Sequence, residues 1–508
     1  MRRLTYLIVT ATSAGCGLVV EIAAGRMLAP YVGMSLYSWT AIIAVVLAGF
    51  SAGHWIGGRI AERPHSVALR GTIWALVGAA VTSAGALILI RLVSGPVLSW
   101  GGTTVSSILL LTTVLFFAPS FFVGIPSPIL TKLAIDDQSD RMARTLGEFY
   151  AAGAFGSILG TLAAGYIFIS WLGTIWTFLL VAAVYVAMAI ALWAVGVPGA
   201  ASQRSAVRGG QLLALIAVVF VGLGLVGERI GAFRTPCDQE SSYYCIRVVD
   251  ETPSRFGPAR TLVLDHLAHG TNVSGNARYL LTPYVELQDA LARIHSGQRS
   301  PFRAFFVGGG AFTLPRAWLA IRPDADFLVA EIDPAVTRIA ADRLWLNAAD
   351  PRLKIAHDDA RAALLRTPRR HFDIVVGDAF HDIAVPQHLV TREFFALVAS
   401  RLQPDGIYLM NVVDQLQRPR LALSITATLR TAFPVVELWR LNDSGVRTTF
   451  VVAGLQKPTP FSPINSSIRR DLSFHRLAHQ RVLRLTATTD PIVLTDDYAP
   501  VDRLIGVR

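Results

Sequence analysis

The chain has 508 residues, a formal net charge of +11, 53% hydrophobic residues and a mean hydropathy of +0.48. Its charged side chains are uneven, 20 over residues 1–230 against 61 over the remaining 278. That break excludes a single soluble domain, a disordered chain and a disulfide-rich secreted scaffold.

The first half reads as membrane. A bilayer core takes about 20 apolar residues per helix. Suitable stretches run roughly 5–27, 37–58, 71–92, 103–125, 148–168, 172–195 and 211–227, so residues 1–230 predict a multi-pass α-helical domain of about seven helices with the lipid bilayer as partner. The first stretch has no small-residue cleavage site and is read as a retained helix. Gly49, Gly53 and Gly57 share one helix face, and Gly156 and Gly160 repeat the spacing, as close packing of helices in lipid requires. Glu21, Arg26 and Glu148 lie within or at the ends of spans; the expectation is that Arg26 reaches the interface while Glu21 pairs with it or with another helix. Ten basic residues, among them Arg2, Arg59, Lys132 and Arg208, fall on one side against Arg26 and Arg91 on the other, which places the amino terminus in the cytoplasm. Seven crossings then carry residue 231 onward outside, where Cys237 and Cys245 are able to pair. Pro119, Pro126 and Pro128 make residues 98–131 a candidate re-entrant segment or broken helix, which leaves the side of the second half undecided.

From about residue 304 strands and helices alternate. Apolar β-rich runs occur at 304–308, 326–333, 353–358, 372–379 and 406–413, with helical stretches between, as at 334–346 and 391–402. This pattern predicts an α/β doubly wound parallel sheet, and runs at 435–441 and 448–454 are placed to close it antiparallel. Ligands of such sheets bind at the carboxyl ends of the strands. Gly308, Gly309 and Gly310 follow the first strand, where a ligand meets bare backbone. Glu331 ends the second, suited to ribose hydroxyls; Asp359, beside Ala360, ends the third, suited to an adenine amino group; Asp378 ends the fourth, facing the reacting group. No His or Cys spacing suggests a metal, and the arginine-rich composition without a basic, aromatic-interleaved stripe predicts no nucleic-acid partner.

Two resemblances follow from these residues. VEIAAGRMLAPYVG at 20–33, Trp39 and GFSAGHWIGGRIAE at 49–62 resemble the amino-terminal segment of bacterial fused transporter/spermidine synthases, which implies a bacterial plasma (inner) membrane. Residues 237–455 resemble the spermidine synthase (polyamine aminopropyltransferase) family, which has a Rossmann-like, methyltransferase-type fold. ESSYYCIRV at 240–248 and LVLDH at 262–266 look like that family's small amino-terminal β-subdomain, and Tyr284 and Glu286 match its Tyr-x-Glu. The glycine loop, EIDP at 331–334, DDAR at 358–361 and VVGDAF at 375–380 follow in the family's order. The implied layout is a transmembrane domain at 1–230, a β-subdomain at 237–290, a Rossmann-like domain at 300–455 and a tail at 456–508.

The resemblance implies decarboxylated S-adenosylmethionine, or S-adenosylmethionine, as co-substrate rather than a permanently bound cofactor, and a small-molecule amine as acceptor. Gly308, Gly309, Gly310, Glu331, Asp333, Asp359 and Ala360 would bind the donor, Tyr243, Tyr284, Glu286 and Asp382 the acceptor, and Asp378 would be the catalytic base. Two positions depart from the family. Ala311 stands where an Asp usually holds the donor's ammonium, and His381, followed by Asp382, stands where a second Asp is usual. The alternatives are an S-adenosylmethionine-dependent methyltransferase, or a membrane transporter or scaffold with a non-catalytic nucleoside- or polyamine-binding domain. Homo-oligomer formation and the role of LTDDYAPVD at 494–502 stay open.

Overall fold

The computed structural model describes residues 2–100, 104–137, 139–196, 203–251, 255–297, 299–380, 385–441 and 445–505. The chain divides into two compact units, Met1–Cys245 and Ile246–Val507.

The first unit contains α1 (Arg2–Val32), α2 (Leu36–Ala61), α3 (His65–Ser99), α4 (Thr104–Gly124), α5 (Pro126–Asp136), α6 (Met142–Ala163), a π-helical turn at Ala164–Leu172, α7 (Gly173–Gly196), α8 (Gln203–Arg229) and the two-residue strand β1 (Gln239–Glu240). Among the described residues five apolar helical segments are long enough to cross a membrane, the last being Met142–Ala194 with 53 residues. The sequence suggests seven. The fifth and sixth stretches fall within that last segment, as α6 and α7 joined through the π-helical turn and Gly173, whose φ is 77°, and the seventh lies in α8.

The glycine spacing does what lipid packing demands. A Cβ on Gly156 or Gly160 would strike the backbone of Ala11 or Gly15, and one on Gly53 or Gly57 the carbonyl of Phe121 or Ile125, so α1 meets α6 and α2 meets α4 and α5 at backbone distance. The proline-rich segment is a broken helix. α4 continues through Pro119 and stops at Gly124, because Pro126 and Pro128 have no N–H to continue its ladder. Ile125 N reaches Phe122 O at 3.4 Å, and α5 restarts beyond it.

Arg26 departs from the expected pairing with Glu21. It donates to the carbonyls of Ser241 at 2.8 Å and Tyr243 at 2.6 Å, while Glu148 takes Arg3 and Arg144. Cys237 and Cys245 form a disulfide around β1, and Glu240 between them accepts from Thr174 N at 2.8 Å and Thr174 Oγ1 at 2.7 Å.

The second unit opens on a meander of β2 (Cys245–Glu251), β3 (Ala259–Leu264) and β4 (Leu267–Val273), antiparallel throughout. Then follow α9 (Pro283–Ser296), β5 (Phe302–Val307), α10 (Thr313–Leu319), β6 (Ala325–Ala330), α11 (Pro334–Arg343), β7 (Leu353–Ala356), α12 (Ala360–Leu365), β8 (Phe372–Gly377), α13 (Arg392–Arg401), β9 (Leu402–Gln415), α14 (Arg420–Leu429), β10 (Val435–Leu441) and β11 (Arg447–Leu455). The tail adds β12 (Ile464–Asn465), β13 (Ser473–Arg476), α15 (His479–Thr489) and α16 (Val501–Ile505).

The large sheet has the order β12-β13-β10-β11-β9-β8-β5-β6-β7. β5 to β9 pair in parallel, and β11 and β10 close the sheet antiparallel, as the sequence predicts for a Rossmann-like fold with a small β-subdomain before it. All six residues of β8 are buried, which is why FDIVVG is apolar without alternation apart from Asp373, whose carboxylate is met by Arg299 and by Arg303 N. The tail also contributes to the edge. β13 pairs with β10, Arg476 binding Glu437 at 2.7 Å.

Candidate active site

β5 and β8 are neighbours whose following connections run to opposite sides of the sheet, which makes their carboxyl ends the crevice of a doubly wound fold. The glycine loop leaves β5 there. Gly308 and Gly310 have φ of 94° and 50°, which favour glycine, and a Cβ on Gly308 would lie 2.7 Å from the Asp378 carbonyl. The loop after β5 and the end of β8 are therefore in backbone contact.

Glu331, at the end of β6, organises that loop. Its Oε2 accepts from Gly309 N at 2.8 Å and Gly310 N at 3.2 Å, and its Oε1 from Asp333 N at 3.0 Å. Burial pushes its carboxyl above the ordinary value, and the backbone hydrogen bonds partly offset this. Asp333 is the N-cap of α11, accepting from Ala335 N at 2.9 Å, so its carboxylate serves the helix start. Asp359 similarly caps α12 through Ala362 N at 2.9 Å, with Ala360 buried behind it, and its second oxygen meets His388 Nε2 at 2.7 Å. His388 carried no sequence signal, because it is 29 residues from its partner on a short 3₁₀ turn.

Asp378 is the centre of the site. Tyr284 donates its hydroxyl to the carboxylate at 3.2–3.3 Å, and Asn411 from β9 supplies a second side-chain hydrogen bond. Burial raises the Asp378 carboxyl to about 7, outweighing both bonds. Asn411 was missed because it lies within an apolar strand where nothing distinguishes it from a structural polar residue. Asp378 and Tyr284 each line a separate cavity. One is lined by Gly308, Gly309, Ala311, Gln288, Thr313 and Asp378. In it Gln288 Nε2 and Thr313 Oγ1 are buried without partners, which fits a site built to receive a polar ligand. The other is lined by Tyr284, Val413, Arg447 and Thr449.

Of the other expected acceptor residues, Glu286 is engaged away from Asp378 and Tyr243 belongs to the first unit. Tyr284 and Glu286 are two residues apart on α9 and so face different directions. Glu286 is buried against the tail, accepting from Ser466 Oγ at 2.7 Å, Ser467 N at 2.6 Å and Ser467 Oγ at 2.8 Å. Tyr243 belongs to the first unit, where its carbonyl receives Arg26. Asp382, with His381, lies outside the described residues. The LTDDYAPVD segment gains a structural role: Asp496 takes both Arg361 Nη atoms at 2.7 Å and Thr391 Oγ1 at 2.7 Å, clamping the tail to α12 and α13. The Arg361 guanidinium holds the Asp496 carboxyl down at about 2.

Residues 326–441 match the family described as spermine/spermidine synthase domain. Among curated proteins the chain is 25% identical over 458 residues to the polyamine aminopropyltransferase of Mycobacterium tuberculosis, covering 85% of this chain and 81% of that one. It is 23% identical over 431 residues to polyamine aminopropyltransferase 2 of Streptomyces coelicolor, covering 82% of this chain and 75% of that one. Among solved structures, a probable spermidine synthase from Corynebacterium glutamicum aligns with a TM-score of 0.43 at 22% identity, covering 51% of this chain and 95% of that one.

Proposed function

We propose that this chain, which carries a spermine/spermidine synthase domain, is a membrane-bound aminopropyltransferase that moves the aminopropyl group of decarboxylated S-adenosylmethionine to an amine. The domain match and the curated relatives support an aminopropyltransferase enzyme. The observation that carries the finer reading is Asp378, poised near neutrality in the wall of one cavity and held by Asn411 and by Tyr284, which lines a second.

The residues account for the steps. The donor's nucleoside lies across the ends of β6 and β7, with Glu331 at the ribose and Asp359 and Ala360 at the base. The acceptor enters beside Tyr284 as an ammonium and is drawn to the Asp378 carboxylate, which takes one proton. The freed amine nitrogen attacks the carbon next to the sulfonium, the carbon–sulfur bond breaks, and its electron pair leaves with a neutral thioether. A base with a pKa near the working pH is suited to this transfer.

Mass-spectrometric product detection from purified protein with both sulfonium donors and a panel of amines tests the reading. Aminopropylated amine is the expected product, and methylated amine from S-adenosylmethionine would replace it with the methyltransferase reading. Ala311 favours that second reading, because it leaves no carboxylate at its position to oppose a donor carboxylate. The Glu331→Gln variant is expected to bind either donor about 10–100-fold more weakly, or about 1.5–3 kcal/mol. Its amide nitrogen would face the N–H groups of the glycine loop or Asp333 as well as losing charge toward the ribose. An unchanged dissociation constant by calorimetry would remove the nucleoside from this edge.

For location, the five apolar segments support a multi-pass membrane protein. The 53-residue segment, broken at Gly173, has residues enough for two crossings at about 20 each. The Cys237–Cys245 disulfide supports an oxidising side for that loop, whereas a sulfonium nucleoside is a cytoplasmic metabolite. Thiol accessibility decides between them. With an impermeant maleimide on intact cells, labelling of these cysteines only after reduction is expected for the outward side; labelling only after lysis places the loop inside.

A further inference from the structure

The first unit contains a cavity of about 560 Å³ bounded by α1, α2, α5 and α6, within the size range of small-molecule sites. It lies beside the break between α4 and α5, and Ser127, Pro128 and Thr131 of the restarted helix line it. Where the neighbouring helices touch, their glycines are needed for backbone contact. At Gly153 of the cavity wall, by contrast, a Cβ would meet nothing within 4 Å.

The wall carries unused polar groups. Thr10 and Ser13 of α1 line the cavity at 2% and 3% exposure, and neither hydroxyl has a hydrogen-bond partner. Several helical threonines of this unit satisfy themselves on the carbonyl four residues back, as Thr112 does at 2.6 Å and Thr131 at 2.8 Å; the hydroxyls of Thr145 and Ser83 do not, but neither residue lines this cavity. Leaving a hydroxyl buried and unmade costs about 1–3 kcal/mol, so the two point to a group the protein does not supply.

The charges limit what that group is. Among the described residues no Asp or Glu lines the cavity, whereas Lys132 does, its ammonium paired with Asp136 one turn further along α5 and outside the wall. His54 adds an imidazole whose Nδ1 is engaged by Phe50 O at 2.6 Å. The remaining wall is largely apolar, from residues such as Leu18, Phe50, Ile135 and Phe149. A polycation would find no counter-charge here.

We infer that this cavity binds an amphipathic carboxylate, its hydrocarbon chain against the apolar wall and its head met by the Thr10 and Ser13 hydroxyls and the Lys132 ammonium. This site is independent of the chemistry at Asp378.

The test uses the full chain in phosphatidylcholine nanodiscs with radiolabelled dodecanoate, empty nanodiscs correcting for partitioning. One saturable site per chain is expected. Ser157→Leu, which fills the cavity, should abolish it. Thr10→Val combined with Ser13→Ala keeps the wall's shape and should weaken binding at least fivefold, which keeps the inference testable even if the filled variant does not assemble. Lys132→Met should reduce the preference for dodecanoate over dodecanol at least fivefold. Absence of saturable binding, equal binding by the unaltered chain and the Thr10/Ser13 variant, or displacement of dodecanoate by spermidine would overturn the inference.

Discussion

Replacing Asp378 by Asn is expected to lower turnover by about 10³-fold while changing donor affinity by no more than about threefold, within the 10²–10⁴ typical of a lost general base. The geometry separates the two effects. Asp378 ends β8 with Tyr284 and Asn411 on its carboxylate, whereas the groups assigned to the nucleoside, Glu331 and Asp359, end β6 and β7. Single-turnover rates and calorimetry on the same variant report the two quantities independently.

The pH profile follows from the same residue. The Asp378 carboxyl lies near 7, so the unaltered enzyme should lose kcat/KM as pH falls through that value, and the Asn variant's residual rate should lack that limb. Stability runs the other way. A carboxyl whose folded pKa is raised from 3.8 to about 7 binds its proton more tightly folded than unfolded, so its favourable contribution is full below about pH 4 and lost by pH 8. Asp378→Asn should therefore be more stable than the parent by about 1–3 kcal/mol at pH 8, allowing for partial solvent screening, and lose that advantage at pH 4. Denaturant titration at the two pH values measures both signs. Equal turnover in the variant would take Asp378 out of the mechanism.

The sheet was legible because its strands are buried on both faces and read as apolar runs separated by helix-length intervals. The placement of Glu331, Asp359 and Asp378 was legible for a related reason: each stands at the end of an apolar run, and the structure puts them just beyond β6, β7 and β8. What stayed hidden depends on contacts distant in sequence. Glu286 resembles a substrate residue by spacing, yet its carboxylate is consumed by Ser466 and Ser467, 180 and 181 residues away. Asp333 sits in a recognisable EIDP run, but the residue before a helix-opening proline is also the natural N-cap, and local backbone geometry assigns it that work. Asp496 reads as a solvated turn until the fold brings Arg361 to it. The membrane half was legible in composition and in its helical stretches, while the joints between helices were not. Each apolar stretch falls in a helix of its own, but hydropathy shows neither the π-helical turn that joins α6 to α7 nor the break that sets α5 apart from α4.

Introducing a carboxylate at Ala311 should shift donor preference toward decarboxylated S-adenosylmethionine over S-adenosylmethionine by about 100-fold. Ala311 is 1% exposed, lines the cavity with Gln288, Thr313 and Asp378, and has its carbonyl fixed by Asn272 Nδ2 at 2.7 Å. The donors differ at the end of one chain: the decarboxylated form carries only an ammonium there, and the parent compound adds a carboxylate. With Ala311 in place, Asp378 is the only carboxylate among the described residues lining that cavity, alongside the amide of Gln288 and the hydroxyl of Thr313, which have no partner among those residues. A new charge-assisted hydrogen bond to the ammonium contributes about 1.5–3 kcal/mol, or 10–100-fold, and repulsion of the parent's carboxylate widens the ratio further. The larger side chain must also find room beside Gly270, whose missing Cβ would otherwise lie 3.0 Å from the Ala311 methyl. Crowding costs both donors alike, commonly about 1–3 kcal/mol, so it cancels in the affinity ratio although it lowers each affinity. The decisive measurement is therefore the ratio of the two dissociation constants for Ala311→Asp against the parent chain. A ratio that does not move would place the donor's tail outside this cavity.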